Sequence, residues 1–223
     1  MTDPAPRILV TGSAGFIGFH TCLRLLNQGA TVLGIDNLSA YYDVSLKEGR
    51  TAILGEKPRF SLARISIEDM SALEQAWMEF KPDVVIHLAA QAGVRYSIEE
   101  PRRYIGSNVI GTFNLLELAR HHPVRHFLAA PTSSVYGANA QMPFEETQRT
   151  QTPLSLYAAT KGATELIGHS YSHLFGTPMT FFRFFTVYGP WGRQMPSWRS
   201  PPPSRARLPS RATASRQLRP FAP

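Results

Sequence analysis

The stretch TGSAGFIG, residues 11–18, lies between an apolar run at Arg7 to Val10 and a segment with the apolar period of a helix at Phe16 to Gln28. This order predicts a buried strand, a glycine-rich turn and a helix. Such a unit opens the parallel sheet of a dinucleotide-binding domain. The alternative is a glycine-rich surface turn.

Each glycine of this loop has a physical reason. Gly12 permits the tight turn, Gly15 lets a phosphate approach the backbone, and Gly18 lets the helix pack on the strand. The free amides and the positive dipole end of the helix then face the phosphates. The loop therefore predicts a pyrophosphate site.

A second predicted strand, Thr31 to Ile35, ends in an acidic residue, Asp36. A carboxylate at this position accepts the ribose hydroxyls of the adenosine half and repels a 2′-phosphate. We therefore expect NAD rather than NADP as the cofactor. If the glycines form only a surface turn, Asp36 is an unrelated acid.

Tyr157 and Lys161 are one helical turn apart, within a predicted helix from Tyr157 to Phe175. A tyrosine hydroxyl has a reference pKa near 10, which is too high for an efficient base at neutral pH. An ammonium on the same helix face favours the phenolate. The pair predicts proton transfer, although the same spacing also occurs in surface pairs.

Three hydroxyl side chains follow the predicted strand His126 to Ala130, namely Thr132, Ser133 and Ser134. Open α/β sheets bind ligands at the carboxyl ends of their strands. One of these hydroxyls is therefore expected to hydrogen-bond the substrate hydroxyl that Tyr157 deprotonates.

Strands and helices alternate through most of the chain, which predicts an α/β fold with a doubly wound parallel sheet. The other predicted helices are Val44 to Leu54, Ser71 to Phe80 with a capping box that begins at Ser71, and Val109 to Arg120; the other strands are Phe60 to Arg64, Asp83 to Leu88 and Met179 to Phe184.

The formal net charge of +7 comes entirely from seven arginines at and beyond Arg193, with no acidic residue among them. We therefore expect two parts: a dinucleotide-binding domain over residues 1–192 and a disordered Pro/Arg/Ser-rich tail over residues 193–223. Codons for residues 194–199 can be read in a shifted frame as ordinary protein, so we hypothesise a frameshift or sequencing error near Arg193. Resequencing of the gene tests this hypothesis, and the absence of an intact alternative frame would reject it. The competing interpretation is a basic arm that binds acidic partners; a nucleic-acid partner is not expected.

The chain carries no signal-peptide pattern and no apolar run long enough to span a membrane, so a cytoplasmic protein is expected. Cys22 is the single cysteine and lies among leucines, which indicates a core residue and excludes a disulfide framework. The histidines considered for metal binding have no convincing ligand spacing, and no metal is expected; they are His20, His121, His122, His126, His169 and His173.

Seven segments together resemble the extended short-chain dehydrogenase/reductases, in the NAD-dependent epimerase/dehydratase group, and most closely the UDP-glucuronate 4-epimerases. These segments are Thr11 to Gly18, Asp36 to Leu38, His87 to Arg95, Ser107 to Thr112, Ser133 to Gly137, Tyr157 to Lys161 and Arg183 to Pro190. The resemblance covers residues 7–193 nearly without interruption.

The resemblance implies a catalytic triad of Thr132, Tyr157 and Lys161. It implies NAD contacts from Gly12, Gly15, Phe16, Ile17, Gly18, Asp36, Asn37, Ile67, Ala89, Ala90, Gln91, Tyr157 and Lys161. Substrate contacts are implied for Arg95, Ser133, Ser134 and Thr186.

Two of the implied roles have open alternatives. Asn108 would lie near the active site, or would only hold backbone. Arg95 would meet an acidic group of the sugar, or would be a solvated arginine.

At the end of the third strand, Ser66 and Ile67 stand where relatives usually have Asp-Ile, so the adenine contact there is expected to be weaker or to come from the backbone.

The resemblance implies an isomerase that epimerises a UDP-sugar at C4 through a 4-keto intermediate. Dehydratases carry an Asp-Glu pair at the positions of Ser133 and Ser134, and decarboxylases usually carry a Glu at the position of Ser134. The two serines of this chain therefore favour epimerisation. Relatives continue into a smaller domain that holds the uridine nucleotide, so the chain is expected to lack most of it and to have reduced or no activity. The alternatives are a non-catalytic NAD-binding fragment and another dehydratase or decarboxylase of the superfamily. A homodimer through the two helices at Val109 to Arg120 and Tyr157 to Phe175 is also implied.

Overall fold

The computed structural model describes residues 5–139 and 141–192. The described residues up to Gly192 belong to one compact unit. The predictions of disorder and of a frameshift fall on residues 193–223 and lie outside the described residues. No helix in the described ranges is long and apolar enough to cross a membrane.

Six strands form one sheet: β1 Arg7–Thr11, β2 Thr31–Ile35, β3 Phe60–Ala63, β4 Val84–His87, β5 His126–Ala129 and β6 Met179–Phe181. The α-helices are α1 Phe16–Asn27, α2 Val44–Gly55, α3 Met70–Phe80, α4 Tyr96–Glu99, α5 Pro101–Tyr104, α6 Gly111–His121 and α7 Leu156–Phe175. A π-helical turn spans Ile105–Ile110, and a 3₁₀ turn spans Ser133–Tyr136.

All pairings in the sheet are parallel, in the order β3-β2-β1-β4-β5-β6. The direction of winding reverses between β1 and β4, and this switch point is where doubly wound sheets bind ligands. Leu9 of β1 pairs with Leu33 of β2 and with Val85 of β4. The predicted α/β fold with a doubly wound parallel sheet is confirmed.

Neighbouring side chains of β1 enter two different hydrophobic clusters. Leu9 belongs to the cluster that contains Trp77 and Phe127, while Val10 belongs to the cluster that contains Phe19. Successive strand residues point to opposite faces. The sheet is therefore covered on both faces, which explains why the central strands β1 and β2 are largely apolar.

Several predicted boundaries were wrong for identifiable reasons. The capping box at Ser71 does not form, because Asp69 is the N-cap of α3 and its carboxylate accepts a hydrogen bond from the Ala72 amide. The helix predicted from Val109 begins as a π-helical turn and becomes α-helical only at Gly111. The last strand ends at Phe181, although Phe184 still forms a bridge to Thr132.

A matched pair of glycine substitutions tests the contact between α1 and β1. An added Cβ at Gly18 would collide with the Gly12 carbonyl oxygen, whereas one at Gly162 in α7 meets nothing within 4 Å. We expect Gly18→Ala to lower the free energy of unfolding by about 1–3 kcal/mol. Gly162→Ala should raise it by about 0.5–1 kcal/mol through helix propensity. Urea denaturation measures both, and equal effects would contradict the packing argument.

Candidate active site

The glycine loop connects β1 to α1 at the carboxyl edge of the sheet. Gly12 has a φ of +71°, and a Cβ there would lie 2.7 Å from the Ala89 backbone nitrogen. Gly15 is the N-cap of α1 and provides no side-chain cap. The first-turn amides, which include those of Phe16 and Ile17, keep their donor capacity for an outside acceptor. This geometry fits a pyrophosphate group.

Asp36 follows β2 and is held by backbone donors on both sides. Its Oδ2 accepts from the Ala14 amide at 3.1 Å, and its Oδ1 accepts from the Leu38 amide at 2.8 Å. Lys47 Nζ lies 3.8 Å from Oδ1, and burial lowers the pKa of Lys47 while Asp36 partly opposes that shift. The charge at this corner is therefore a carboxylate paired with an ammonium, which the sequence did not indicate. Asn37 accepts from the Ser39 amide in the adjoining turn.

Arg50 of α2 is fully buried beneath the glycine loop. Its guanidinium donates to the Ala14 carbonyl at 2.8 Å, to the Tyr42 hydroxyl at 2.9 Å, and to the Trp191 carbonyl. Within residues 5–139 and 141–192, no carboxylate pairs with it. A buried cation bound only by neutral oxygens leaves positive potential beside the loop.

Ile67 lies beyond β3 and packs into the core with 5% of its surface exposed. Its carbonyl accepts from the Asn114 side chain at 3.0 Å. Since the side chain is committed to the core, contact with an adenine at this position would come mainly from backbone. The weaker or backbone-supplied adenine contact at Ser66 and Ile67 stays a prediction.

The loop after β4 carries Ala89, Ala90 and Gln91, and its backbone is fixed from two sides. Thr11 Oγ1 accepts from the Ala89 amide at 3.1 Å. Asn108 Oδ1 accepts from the Gln91 amide at 2.8 Å, and Asn108 Nδ2 donates to the Gln91 carbonyl at 3.1 Å. Of the two roles open for Asn108, these contacts favour the one that holds backbone.

Thr132 and Tyr157 meet at the carboxyl end of β5. Ser155 caps α7 by accepting from the Ala158 amide, which places Tyr157 in the first turn of the helix. Burial raises the pKa of Tyr157, and a hydrogen bond with Thr132 lowers it. Thr132 also bonds to the amide and hydroxyl of Ser134 at 3.3 Å. The structure therefore brings together two of the three predicted catalytic residues.

Lys161 lies one turn after Tyr157 and is 4% exposed. Burial lowers its pKa to about 8, and Glu165 opposes that shift. Glu165 itself binds Arg183 at 2.8 Å. Besides burial, the influences on the Tyr157 pKa are Thr132 and Tyr41. The electrostatic role of Lys161 toward the phenol stays a prediction.

The residues implied for the substrate differ in their placement. Ser133 donates its amide to the Phe184 carbonyl at 2.9 Å, and Ser134 is held by Thr132, so both serines lie beside the catalytic threonine. Arg95 and Thr186 are exposed. The exposure of Arg95 is compatible with either of its two roles.

An aromatic cluster surrounds Tyr157, and no pattern in the sequence indicated it. Tyr104 is fully buried, donates to the Ala92 and Gly93 carbonyls, and lies edge-on to Tyr157 with 6.1 Å between ring centroids. Tyr96 extends this cluster. These rings pack beside the proposed catalytic tyrosine. Over the described ranges, no cluster of three or more His, Cys, Asp or Glu could hold a metal ion.

The strand order and the glycine loop at the switch point define a Rossmann-type dinucleotide-binding domain. At the carboxyl edge of this sheet lie a half-buried phenol, Tyr157, and a buried ammonium, Lys161, one helical turn apart. The chain belongs to the NAD dependent epimerase/dehydratase family, whose model matches residues 8–206.

Three relatives are described, and each is longer than this chain. It is 53% identical over 187 residues to a probable UDP-glucuronate 4-epimerase of Rhizobium meliloti, which covers 84% of this chain and 55% of the relative. A crystal structure of a Bacillus cereus UDP-glucuronic acid 4-epimerase with UDP-glucuronic acid and NAD matches with a TM-score of 0.75 at 40% identity, over 84% of this chain and 59% of that one. The structure of a Thermotoga maritima UDP-glucose 4-epimerase with UDP-glucose matches with a TM-score of 0.73 at 35% identity. The match covers 82% of this chain and 57% of that one. The chain thus spans little more than half of each of these relatives.

Replacing Lys161 by methionine tests whether this cation costs stability. Below pH 8 the folded chain must hold a buried ammonium, so Lys161→Met should raise the free energy of unfolding by about 1–3 kcal/mol. The gain should shrink between about pH 8 and 10.5, because the folded wild type loses its proton while the unfolded chain keeps it. Denaturation at several pH values measures this.

The matched control is Lys57→Met in the turn that follows α2, which we expect to change stability by at most about 0.5 kcal/mol. A destabilising effect of Lys161→Met at pH 7 would show that the ammonium is better compensated than its burial implies.

Proposed function

We propose that this chain binds NAD and carries the proton-transfer residues of a UDP-sugar 4-epimerase, with UDP-glucuronate as the substrate. The observation that carries this proposal is the meeting of Thr132 and Tyr157, with Lys161 one turn away, at the sheet edge that holds the glycine loop. The solved relatives with UDP-glucuronic acid, UDP-glucose and NAD support the choice of ligands.

The described residues fit the proposed cofactor. The uncapped start of α1 suits a pyrophosphate, and Asp36, held by two amides, suits the adenosine ribose. The small side chains of Ala89 and Ala90 leave room for a nicotinamide ring at the switch point. When bound, NAD supplies a reversible hydride acceptor. We propose NAD rather than NADP, although Lys47 softens the repulsion of a 2′-phosphate by Asp36.

In the proposed reaction, the Tyr157 phenolate would take the proton of the sugar 4-hydroxyl as C4 gives up hydride to bound NAD⁺, which leaves a 4-keto sugar. Thr132 orients the sugar hydroxyl and lowers the Tyr157 pKa by hydrogen bonding. After the ketone has turned in the cleft, hydride returns to its other face and Tyr157 returns the proton to the oxygen. With glucuronate the intermediate is a β-keto acid, so the site must hold the carboxylate and avoid assisting loss of CO₂.

Ser133 and Ser134 carry hydroxyls at the positions where dehydratases and decarboxylases carry acidic residues, and this difference favours epimerisation. Ser133 and Ser134 cannot act as the acid and base that expel water in a dehydratase, and Ser134 is engaged by Thr132. One observation favours a second candidate, a non-catalytic NAD-binding fragment: the chain spans only 55% of its Rhizobium relative. A cytoplasmic location is part of the first proposal.

Incubation of the 223-residue chain with NAD and UDP-glucuronate tests the function. We expect UDP-galacturonate as the product and tighter binding of NAD than of NADP by calorimetry. Tyr157→Phe should lower turnover by about 10²–10⁴-fold while leaving NAD affinity within about threefold, because it removes only the proton-transferring hydroxyl.

The control is Tyr171→Phe, which removes another phenol of α7, one that donates to Glu117 outside the cleft. Binding of NAD without turnover would favour the fragment, and a pentose or 4-keto-6-deoxy product would indicate a decarboxylase or dehydratase. Failure to bind NAD would reject both candidates.

We also propose that the chain forms a homodimer through the outer faces of α6 and α7. These helices expose Phe113, Leu166, Leu174 and Phe175, and Leu166 is 74% exposed. Apolar side chains on adjacent helices are typical of a protein contact. We expect sedimentation at tens of micromolar to show a dimer that Leu166→Asp weakens at least about tenfold. A wild-type monomer would contradict this proposal.

A further inference from the structure

His87 is the last residue of β4 and is buried, with 3% of its surface exposed. Its Nδ1 lies 2.8 Å from Thr11 Oγ1, and its Nε2 lies 2.9 Å from Thr112 Oγ1. One ring therefore joins the strand that precedes the glycine loop to helix α6. The proposed proton transfer does not use this ring.

The groups at the two ends of this chain of hydrogen bonds fix its direction. Thr11 Oγ1 accepts from the backbone amides of Leu88 at 3.2 Å and Ala89 at 3.1 Å, so its own proton points to the ring Nδ1. Thr112 Oγ1 donates to the Asn108 carbonyl at 2.6 Å, so it accepts from Nε2. The ring is therefore a neutral imidazole with its proton on Nε2.

Asn108 continues the connection toward the catalytic helix. It belongs to the π-helical turn Ile105–Ile110, and π-helical turns occur frequently at functional sites. Its side chain binds the Gln91 backbone on one side and donates to Thr160 Oγ1 at 3.0 Å on the other. Thr160 in turn donates to the Tyr157 carbonyl at 2.9 Å. An unbroken path thus runs from the glycine-loop strand to the turn that carries the phenol.

On the basis of the proposed NAD site, we propose that His87 is a positioning residue that keeps the loop after β4 in register with the helix turn of Tyr157. That loop is the proposed nicotinamide side of the cleft, and Tyr157 is the proposed base. The distance between them decides whether hydride and proton leave the same carbon together, and small errors of placement reduce turnover strongly.

Protonation of the ring would break this arrangement. A second ring proton on Nδ1 would face Thr11 Oγ1, whose hydroxyl already donates to that nitrogen. Burial, together with the nearby Lys161 ammonium, lowers the pKa of His87 to about 3. The ring therefore keeps one tautomer throughout the neutral pH range.

Two substitutions at Thr112 test this proposal in the full 223-residue chain. Thr112→Val keeps the shape but leaves Nε2–H without an acceptor and the Asn108 carbonyl without its donor. Thr112→Ser keeps the hydroxyl. The readouts are ¹⁵N NMR of the histidine rings, amide hydrogen exchange at Ala89 and Gln91, and NAD affinity by calorimetry.

We expect the Nε2–H tautomer in the wild type. In the valine variant, exchange at Gln91 should be about tenfold faster and NAD binding about tenfold weaker, because both buried hydrogen bonds of the Thr112 hydroxyl are lost. In the serine variant, the exchange rate at Gln91 and the NAD affinity should both stay within about threefold of the wild type.

An Nδ1–H tautomer, or titration of this ring near its reference pKa of about 6.5, would overturn the proposal. So would a valine variant that is only less stable, with the exchange at Gln91 and the NAD affinity unchanged. If the wild type does not bind NAD, the proposed function fails, while the tautomer and the exchange at Gln91 still decide the role of His87.

Discussion

The site depends on one steric constraint, the close backbone approach of the glycine loop to β4 and to α1. A Cβ at Gly12 would meet the Ala89 backbone, and one at Gly18 would meet the Gly12 carbonyl. Because no side chain separates these segments, the start of α1 and the loop after β4 share one small region at the switch point. The amides proposed to bind phosphate and the loop proposed to face the nicotinamide are therefore positioned by the same contact.

Three positively charged side chains are buried among the described residues that form the proposed site. Lys47, Arg50 and Lys161 are all buried, and of these only Lys47 lies within 4 Å of a carboxylate oxygen, that of Asp36. Burying a cation without full compensation costs free energy. An anionic ligand beside these charges would offset that cost, so the buried cations support the proposed binding of NAD.

The sequence predicted what depends on local pattern and missed what depends on distant contacts. The bounds of β2 were predicted to the residue, because a parallel strand buried on both faces is an unbroken apolar run. His87 was read only as part of a motif, since its partners are 76 and 25 residues away along the chain. Lys47 was missed for a similar reason: its pairing with Asp36 requires α2 to fold back on the end of β2. A pattern in one segment cannot specify such pairings.

The placement of the site residues also indicates which steps of the proposed function this chain can support, although it spans little more than half the length of its relatives. Parallel strands bring their carboxyl ends to one edge, so Asp36, Ala89 and Thr132 reach the cleft from three different strands of the same sheet. The resemblance to nucleotide-sugar epimerases implies that the uridine nucleotide is held by a smaller domain in those relatives. Binding energy from such a remote group helps to orient the sugar for reaction, so it affects turnover as well as affinity. In the proposed function, the residues for cofactor binding and proton transfer all lie within this sheet unit, so NAD binding and turnover are separable by experiment.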